Sequence, residues 1–392
     1  MTLMSLLPAH LSQLPLPTAD ALAHSARLHE LIAGEIAAGG GWISFARYME
    51  LALHAPGLGY YSAGTTKFGA GGDFITAPEL GALFGRTLAR QAAQILRGGI
   101  PDIVEFGAGS GRLACDMLRE LAALDCLPQR YLILETSADL RQRQQQLLQR
   151  ELPQLVGLVA WLDALPTSIT ALAIGNEVLD AMPAHLISVR PDSIDERGVA
   201  MSGDSFVWRS RPAAGVLLET ARGLHLAPGY DTEISLAAQS FVRTLAARME
   251  RGVVLLIDYG FPAREFYHPQ RSEGTLMCHY RQHAHDDPFC LVGLQDVTAH
   301  VDFSAIAAAA RESGLDLLGY ASQAQFLINC GITDVLAATP PANAAAYLPL
   351  VTQVQKLTSP AEMGELFKVI AFGKNHRAPL AGFACGNKQG LL

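Results

Sequence analysis

A short glycine-rich stretch is the part of this sequence with the clearest potential for chemistry. An apolar run that carries Glu105 leads directly into Gly107, Gly109 and Gly111, and a helical pattern follows. Glycine permits tight turns and lets backbone N–H groups approach a ligand closely. A dinucleotide-binding fingerprint has the spacing G-x-G-x-x-G. Here the third glycine comes one residue early and Arg112 stands in its place, which argues against a nicotinamide dinucleotide as the ligand.

The same spacing resembles the first motif of S-adenosylmethionine (SAM) methyltransferases. SAM is a cation with a carboxylate tail, and the ligand of a doubly wound sheet lies where the strands end. We therefore expect Gly107, Ala108, Gly109 and Gly111 to bind this cofactor, with the N–H groups of Gly109 and Gly111 meeting its carboxylate. Glu105 then orients the loop or faces the amino group. The alternative is an ordinary glycine turn of an α/β protein.

Acidic residues end the next two predicted strands. Glu135 stands one β-α-β unit beyond the glycines. Its carboxylate can accept hydrogen bonds from both ribose hydroxyls, because it offers two oxygens. Asp163 follows the third strand and can accept from the adenine amino group. The structural alternatives are a surface glutamate at a strand end and an aspartate in a common turn.

Three polar residues follow the fourth predicted strand at the same edge of the sheet. We expect Asn176 to contact the cofactor, and Glu177 and Asp180 to act on the methyl acceptor. An acidic pair can hold a guanidinium through charge-assisted hydrogen bonds, or can orient or deprotonate an attacking nitrogen. The structural alternative is a capped helix start with Asp180 as the N-cap.

Two further segments combine a structural with a functional interpretation. Thr76 and Glu79 have the spacing of a capping box, and we also assign Thr76 to the cofactor site. Asp302 is a natural N-cap for a following helix, whereas His300 is either a catalytic base or donor, or a structural residue.

A cluster of histidines and aspartates after residue 278 raises the alternative of a metal site. Its members do not have the spacing of a helix-borne zinc motif, so the sequence favours a polar lid and no metal. The cluster consists of His279, His283, His285, Asp286 and Asp287.

Composition restricts the class of protein. Half of the 392 residues are hydrophobic, 17% are charged and the net charge is −8. Because no run of Lys and Arg forms a phosphate-binding stripe, a general nucleic-acid binder is disfavoured. The six cysteines form no C-x-x-C pair, which fits a reducing compartment. Without a stretch of ~18 apolar residues no membrane insertion is expected, and the sequence predicts a cytoplasmic protein.

The hydrophobic pattern alternates between strand and helix through the middle of the chain, which predicts a parallel sheet. A loose arm over 1–25 and a helix that starts at Ser44 precede this region. The pattern then predicts an antiparallel hairpin inserted into the sheet at 185–211, an irregular lid at 260–300 and a ragged tail after Lys374. The central strands are predicted at 102–106, 131–135, 155–161, 171–176 and 253–258, and the central helices at 80–96, 112–124 and 138–150.

A set of motifs in fixed order resembles the MidA-like SAM-dependent methyltransferases. These are bacterial relatives of a mitochondrial complex I assembly factor that methylates an arginine. The resemblance covers roughly residues 25–374, and one departure is Ala108, where proline is expected. The motifs are ISFARYM (43–49), PGLGYY (56–61), GDFITAPE (72–79), LFG (83–85), EFGAGSG (105–111), NEVLDAMP (176–183) and QDVTAHVDF (295–303).

The resemblance implies a Rossmann-like class I methyltransferase of the α/β class, with a mostly parallel seven-stranded sheet. It also implies SAM as the cofactor and protein arginine methylation, with a protein substrate such as a respiratory complex subunit. Residues 1–97 are then a helical extension with a cofactor-covering loop, 98–374 the methyltransferase domain with insertions at 185–230 and 260–300, and 375–392 a tail.

Three rival functions stay open at this point. One is a SAM-binding assembly factor with little catalysis, and another is a small-molecule methyltransferase. The third is a nicotinamide-dependent enzyme, against which the early third glycine argues. The sequence leaves the methyl acceptor, the number of methyl groups transferred and the oligomeric state open.

Overall fold

The computed structural model describes residues 13–62 and 76–392. The chain divides into two compact units, each assembled from separate segments. The first unit contains residues 13–62, Asp180–Ala238 and Arg264–His300, and the second contains residues 76–179, Gln239–Ala263 and Val301–Leu392.

The helices and strands of the described residues follow in chain order. The α-helices are α1 (Ala19–Ala38), α2 (Phe45–His54), α3 (Ala77–Leu80), α4 (Ala82–Arg97), α5 (Arg112–Ala123), α6 (Ala138–Glu151), α7 (Gly215–Gly223), α8 (Leu236–Arg248), α9 (Ala263–Phe266), α10 (Phe303–Glu312), α11 (Gln323–Asn329), α12 (Ile332–Ala337), α13 (Ala344–Thr358) and α14 (Met363–Leu366). The strands are β1 (Ile43–Ser44), β2 (Asp102–Phe106), β3 (Arg130–Leu134), β4 (Val159–Leu162), β5 (Ile169–Asn176), β6 (His185–Val189), β7 (Ile194–Ser202), β8 (Ser205–Pro212), β9 (Asp231–Ile234), β10 (Met249–Phe261), β11 (Met277–Tyr280), β12 (His283–His285), β13 (Asp296–Thr298), β14 (Val301–Asp302), β15 (Asp316–Ser322) and β16 (Phe367–Lys374).

The first unit contains an antiparallel sheet in the order β1-β7-β6-β9, with β8 paired to β7. The hairpin predicted at 185–211 is therefore present, but its predicted place in the main sheet is wrong. Alternating hydrophobicity indicates a strand but does not specify its partner, and here the partners are β1 and β9.

The segment predicted as an irregular lid at 260–300 contains secondary structure in this same unit. Strands β11, β12 and β13 form a small antiparallel sheet, and β11 carries the fully buried Cys278. The prediction of an irregular loop is wrong because all three strands are short and β11 and β12 are rich in His and Tyr, so they lack an apolar alternation.

Local capping explains where the first helices start. The Ser44 side chain accepts a hydrogen bond from the Arg47 N–H at 3.1 Å, so α2 begins as predicted. The predicted loose arm is too long, because α1 already begins at Ala19, with Thr18 as its N-cap. Residues 1–12 lie outside the described part of the chain.

The second unit contains the main sheet, in the order β15-β16-β10-β5-β2-β3-β4. The pairs from β4 to β10 are parallel, β16 is antiparallel to both β10 and β15, and β14 adds a parallel pair to β10. The predicted Rossmann-like, mostly parallel seven-stranded sheet is confirmed. Every residue of the central strand β2 is buried, as expected for a strand covered on both faces.

The strand register brings the predicted site residues to one edge of this sheet. Phe106 pairs with Leu134 on one side and with Gly175 on the other, and Asn176 pairs with Ile257. The loops after β2, β3 and β5 therefore leave the sheet at the same level, which is where doubly wound sheets bind ligands.

The segment after β16 packs against this unit, so the prediction of a ragged tail is wrong. Leu380 and Phe383 are buried, and the Gly382 N–H donates to Gln91 Oε1 at 2.8 Å. A Cβ at Gly382 would lie 2.2 Å from a ring carbon of Phe326. Buried side chains, hydrogen bonds and this close glycine–aromatic contact hold the segment, and none of them has a periodic signature in the sequence.

No helix among the described residues is long and apolar enough to cross a membrane.

Candidate functional site

The loop after β2 has a backbone that requires glycine. The φ angles of Gly107, Gly109 and Gly111 are 62°, 53° and 85°, in the left-handed region that side chains disfavour. A Cβ at Gly111 would also lie 3.2 Å from Cγ of Gln144. The Gly111 N–H donates to the Ala108 carbonyl at 2.8 Å, so the loop folds back on itself before α5 begins.

The start of α3 is joined to this loop by a side-chain contact. Thr76 is buried and occupies the N-cap position, but its side chain makes no capping hydrogen bond. Glu79 instead accepts a hydrogen bond from the Ser110 hydroxyl, whose oxygen also accepts from the Arg112 N–H at 3.2 Å. The predicted capping box is wrong, because the glycine loop takes the carboxylate that would complete it. The preceding motif residues 72–75 lie outside the described residues.

Glu105 is enclosed within the second unit. It is 2% exposed, and its Oε2 accepts a hydrogen bond from the Tyr131 hydroxyl at 2.6 Å. Burial raises the pKa of Glu105 to about 7; the Tyr131 hydrogen bond opposes this shift and the nearby Glu135 charge adds to it. A cation placed near Glu105, such as an amino group, would lower this pKa and favour the ionised carboxylate.

Glu135, directly after β3, has its carboxylate fixed by two donors. Oε1 accepts from the Ser137 N–H at 2.9 Å, and Oε2 accepts from the Gln144 side-chain amide at 3.1 Å. Gln144 is fully buried and also donates to the Gly109 carbonyl at 2.9 Å. The predicted ribose acceptor and the glycine loop are therefore joined through Gln144.

Asp163 lies after β4 at the surface of the unit. Its side chain is 89% exposed and pairs with Arg141 at 2.7 Å. The same guanidinium donates to the Glu135 carbonyl at 2.9 Å. The ion pair connects Asp163 to the predicted ribose acceptor, and the assignment of Asp163 to the adenine stays a prediction.

Asn176 and Glu177 form a hydrogen-bonded pair at the end of β5. Asn176 Nδ2 donates to Glu177 Oε1 at 2.9 Å. Asn176 Oδ1 is buried and has no hydrogen-bond partner within residues 13–62 and 76–392. Glu177 has a φ of 54°, which is uncommon for a residue with a side chain and costs of order 1–3 kcal/mol. Such strain is typical of residues whose orientation has a function.

Asp258 of β10 holds the turn that carries Glu177. Its buried carboxylate accepts from the N–H groups of Val178 at 3.1 Å and Leu179 at 2.8 Å, and the Glu177 N–H donates to the Ile257 carbonyl at 2.8 Å. Sequence reasoning missed Asp258, although an acid at the end of an apolar strand is the signal that identified Glu105.

Val178 brings the two predicted site loops into contact. A Cβ built at Gly107 or at Gly175 would lie 3.4 Å from Cγ2 of Val178. The turn after β5 therefore packs against the glycine loop after β2.

Asp180 and His300 belong to the first unit. Asp180 is buried, and its carbonyl accepts a hydrogen bond from the Ala299 N–H at 3.2 Å. The His300 N–H donates to Thr275 Oγ1 at 3.0 Å, and the Thr275 hydroxyl in turn donates to the buried Glu233 at 3.1 Å. The main chain at both predicted residues is thus fixed, and Asp180 is not the N-cap of a helix.

Aromatic and acidic residues that sequence reasoning assigned no role lie near Asp180 in this unit. The Tyr61 hydroxyl donates to Asp296 at 2.9 Å, and His54 stacks on the Tyr61 ring with centroids 5.5 Å apart. Burial, with Asp296 and Asp180 nearby, raises the pKa of Tyr61 well above its usual value, and burial lowers the pKa of His54. The segments of Tyr61 and Asp296 carry the family resemblance, but no spacing rule marked these side chains.

The histidines and aspartates after residue 278 take separate places in the small sheet. His279 pairs with Ala284 and Asp296, and His285 pairs with Cys278. Within the described residues no group of three or more His, Cys, Asp or Glu side chains could hold a metal ion.

The residues of the second unit fit the predicted cofactor. Asn176 Oδ1 is a buried acceptor suited to an amino group, the glycine loop presents backbone N–H groups suited to a carboxylate, and the fixed Glu135 carboxylate suits ribose hydroxyls. The fold and these residues define a class I, SAM-dependent methyltransferase.

Comparison with known proteins supports this class. Residues 85–321 match the model of a family described as S-adenosyl-L-methionine-dependent methyltransferases. The chain belongs to this family, the MidA-like methyltransferases, which confirms the predicted family and cofactor. A structure from Burkholderia thailandensis bound to S-adenosyl-homocysteine is 51% identical, with a TM-score of 0.94 over 97% of this chain and 100% of that chain.

Two curated relatives carry a more specific name. The protein arginine methyltransferase NDUFAF7 homolog, mitochondrial, of Caenorhabditis elegans is 30% identical over 74% of this chain and 74% of its own length. The protein arginine methyltransferase NDUFAF7, mitochondrial, of Danio rerio is 28% identical over 84% of this chain and 82% of its own length.

Proposed function

We propose that this chain transfers the methyl group of SAM to a guanidinium nitrogen of an arginine in a protein partner. The observation that carries the proposal is Glu177, an acid in a strained backbone conformation, hydrogen-bonded to Asn176 and packed through Val178 against the glycine loop. The names of the two curated relatives support arginine as the acceptor.

The cofactor supplies an electrophilic methyl group on a sulfonium. The role of Glu177 is to accept hydrogen bonds from the guanidinium and so orient the attacking nitrogen, because a carboxylate and a guanidinium match geometrically. Holding the acceptor in line with the methyl group lowers the entropic part of the barrier. Asn176 fixes the carboxylate through its 2.9 Å hydrogen bond and directs its other amide atom to the cofactor.

Asp180 and His300 are our candidates for assisting residues of the first unit. Asp180 would add negative charge for the acceptor, and His300 would accept a proton or set the shape of the acceptor site. Their roles are tested separately, by Asp180→Asn and His300→Gln, each measured for methyl transfer and for cofactor affinity.

The substrate class is tested with a lysate from cells that lack this protein. Purified protein and isotope-labelled SAM are added, and the labelled species is identified by mass spectrometry. We expect label on an arginine of a protein, and a respiratory complex subunit is our first candidate. Label on a lysine or on a small molecule would overturn the proposal of arginine methylation.

A variant control separates catalysis from binding. Glu177→Gln should reduce methyl transfer about 100-fold or more, with S-adenosyl-homocysteine affinity unchanged. If the protein binds this product tightly but transfers no label to any species, the function is that of a SAM-binding assembly factor.

A further inference from the structure

We infer that Gln144 positions the cofactor site, and that Trp161 fixes the orientation of its side-chain amide. The inference rests on the proposed role of Glu135 as the ribose acceptor. Gln144 lies on α6, is fully buried and makes three side-chain hydrogen bonds. It connects the loops that follow β2 and β3 with strand β4.

The partners of Gln144 leave one orientation of the amide. Nε2 faces two acceptors, the Gly109 carbonyl at 2.9 Å and Glu135 Oε2 at 3.1 Å. Oε1 accepts the indole N–H of Trp161 at 2.8 Å. A flipped amide would place its oxygen against two acceptors and its NH₂ against a donor, and all three contacts would become repulsive.

This arrangement makes Gln144 a positioning residue. The backbone turn at Gly109 and the carboxylate of Glu135 are the groups expected to meet the two ends of the nucleoside cofactor. Both are held by the same NH₂ group, so a change in one is transmitted to the other. A hydrogen bond to a charged group is worth roughly 1.5–3 kcal/mol, or about 10- to 100-fold in affinity.

The loss of the network is tested by direct binding of S-adenosyl-homocysteine, measured by calorimetry. Gln144→Leu keeps an apolar stem but removes all three hydrogen bonds, and we expect affinity to fall about 10- to 100-fold. Trp161→Phe removes only the indole donor, so a smaller loss is expected. The control Gln145→Leu changes an exposed neighbour on the same helix and should leave affinity unchanged.

A conservative variant distinguishes positioning from a general loss of structure. In Gln144→Glu we expect the introduced carboxyl to lie beside Glu135. Glu105 and Arg141 also lie near Glu135 and are unchanged in this variant. Affinity is measured at about pH 5.5 and at about pH 8. The protonated carboxyl, favoured at the lower pH, can donate one hydrogen bond, and the ionised carboxyl, favoured at the higher pH, repels Glu135. Affinity should therefore fall with rising pH by about tenfold more than for wild type, and Gln145→Glu should show no such slope.

The Trp161 indole N–H supplies a spectroscopic readout. Its NMR signal, assigned by its absence in Trp161→Phe, should move on addition of S-adenosyl-homocysteine and should already be displaced in Gln144→Leu. A folded Gln144→Leu with wild-type affinity, together with a wild-type pH profile for Gln144→Glu, would overturn the inference.

Glu135→Gln separates this inference from the proposed site. If Glu135→Gln binds S-adenosyl-homocysteine normally, Glu135 is not the ribose acceptor, and both that assignment and the inference about Gln144 fail. If Glu135→Gln weakens binding but the Gln144 variants do not, only the role of Gln144 is overturned.

Discussion

Glu177 combines strained backbone geometry with a side chain placed for chemistry. Its φ of 54° is held by the neighbouring strand β10, since its N–H donates to the Ile257 carbonyl and the two following N–H groups donate to the Asp258 carboxylate. Strain of this kind costs stability and persists only when the surroundings impose it.

The cost of this conformation can be measured with two substitutions. Both Glu177→Gly and Glu177→Ala remove the carboxylate. The glycine variant relieves the left-handed strain because it has no Cβ, whereas the alanine variant keeps the strain. We expect Glu177→Gly to have the higher free energy of unfolding, by about 1 kcal/mol, in chemical denaturation. Equal stabilities would show that the conformation carries no strain, and both variants should lose methyl transfer.

Glu105 gives a prediction about pH. Its pKa is raised from 4.5 to about 7 by burial, so the folded state holds a proton that the unfolded state has lost. The contribution of Glu105 to the free energy of unfolding is fully present below about pH 4.5 and is lost as the pH rises through 7. This loss corresponds to about 3 kcal/mol.

The measurement compares wild type with Glu105→Gln across this range of pH. The amide stays neutral and still accepts from Tyr131, so the variant should gain stability relative to wild type as the pH rises from about 4.5 to about 8. A difference that is constant with pH would mean that Glu105 has an ordinary pKa in the folded protein.

At the scale of elements, the edge formed by the ends of β2, β3, β5 and β10 is held together by side chains from neighbouring elements. The loop after β2 is bound by Glu79 of α3 and by Gln144 of α6. The turn after β5 is bound by Asp258 of β10. These contacts hold the loop after β2 and the turn after β5 in place.

Asp258 provides the prediction at this scale. Asp258→Asn weakens the charge-assisted hydrogen bonds to Val178 and Leu179, so we expect unfolding to become easier by about 2 kcal/mol. Methyl transfer should fall more than S-adenosyl-homocysteine affinity, because the turn that carries Glu177 loosens.

The control for this prediction is Asp316→Asn. Asp316 lies 49% exposed on β15 in an ion pair with Arg377, so this substitution should lower the free energy of unfolding by less than about 1 kcal/mol. Equal effects of the two substitutions would contradict the role given to Asp258.

The sequence predicted the elements whose hydrophobic period is regular. Strand β2 has the predicted bounds, and α5 and α6 differ from prediction by one residue at an end. The hairpin β6–β7 was assigned to the wrong sheet, because alternation marks the buried face but not the neighbouring strand. Strand β4 begins later than predicted, since a 3₁₀ turn at Val156–Leu158 takes the first apolar residues.

The candidate site was predictable where a rule links residue type to position. Acids at strand ends identified Glu105, Glu135 and Glu177, and the glycines identified the loop. Gln144 was not identifiable, because it lies in a run of glutamines and only the fold shows which of them is buried. Tyr61 and Asp296 were likewise missed, since their contact joins positions 235 residues apart.

At the scale of the whole molecule, each unit has its own core. The core of the second unit runs from α4 through the main sheet and includes Leu380 and Phe383 near the end of the chain. Asn387 and Lys388 also bond to both backbone groups of Tyr320 on the edge strand β15. The final segment therefore completes this unit.

Truncation tests the role of the final segment. Ending the chain after Lys374 removes Leu380 and Phe383 from the core, and we expect unfolding to become easier by about 5 kcal/mol. Ending it after Lys388 removes only four residues, none of them buried, and should change the melting temperature little. Equal melting temperatures for the two truncated chains would show that the segment contributes nothing to the core.

The most direct test of the account is a crystal structure of this protein with S-adenosyl-homocysteine. We predict that the ribose hydroxyls contact Glu135, that the carboxylate lies at the glycine loop after β2, and that the amino group reaches Asn176 Oδ1, with Glu177 beside the sulfur. A nucleoside bound away from the ends of β2 and β3, or bound there with Glu177 turned away from the sulfur, would contradict it.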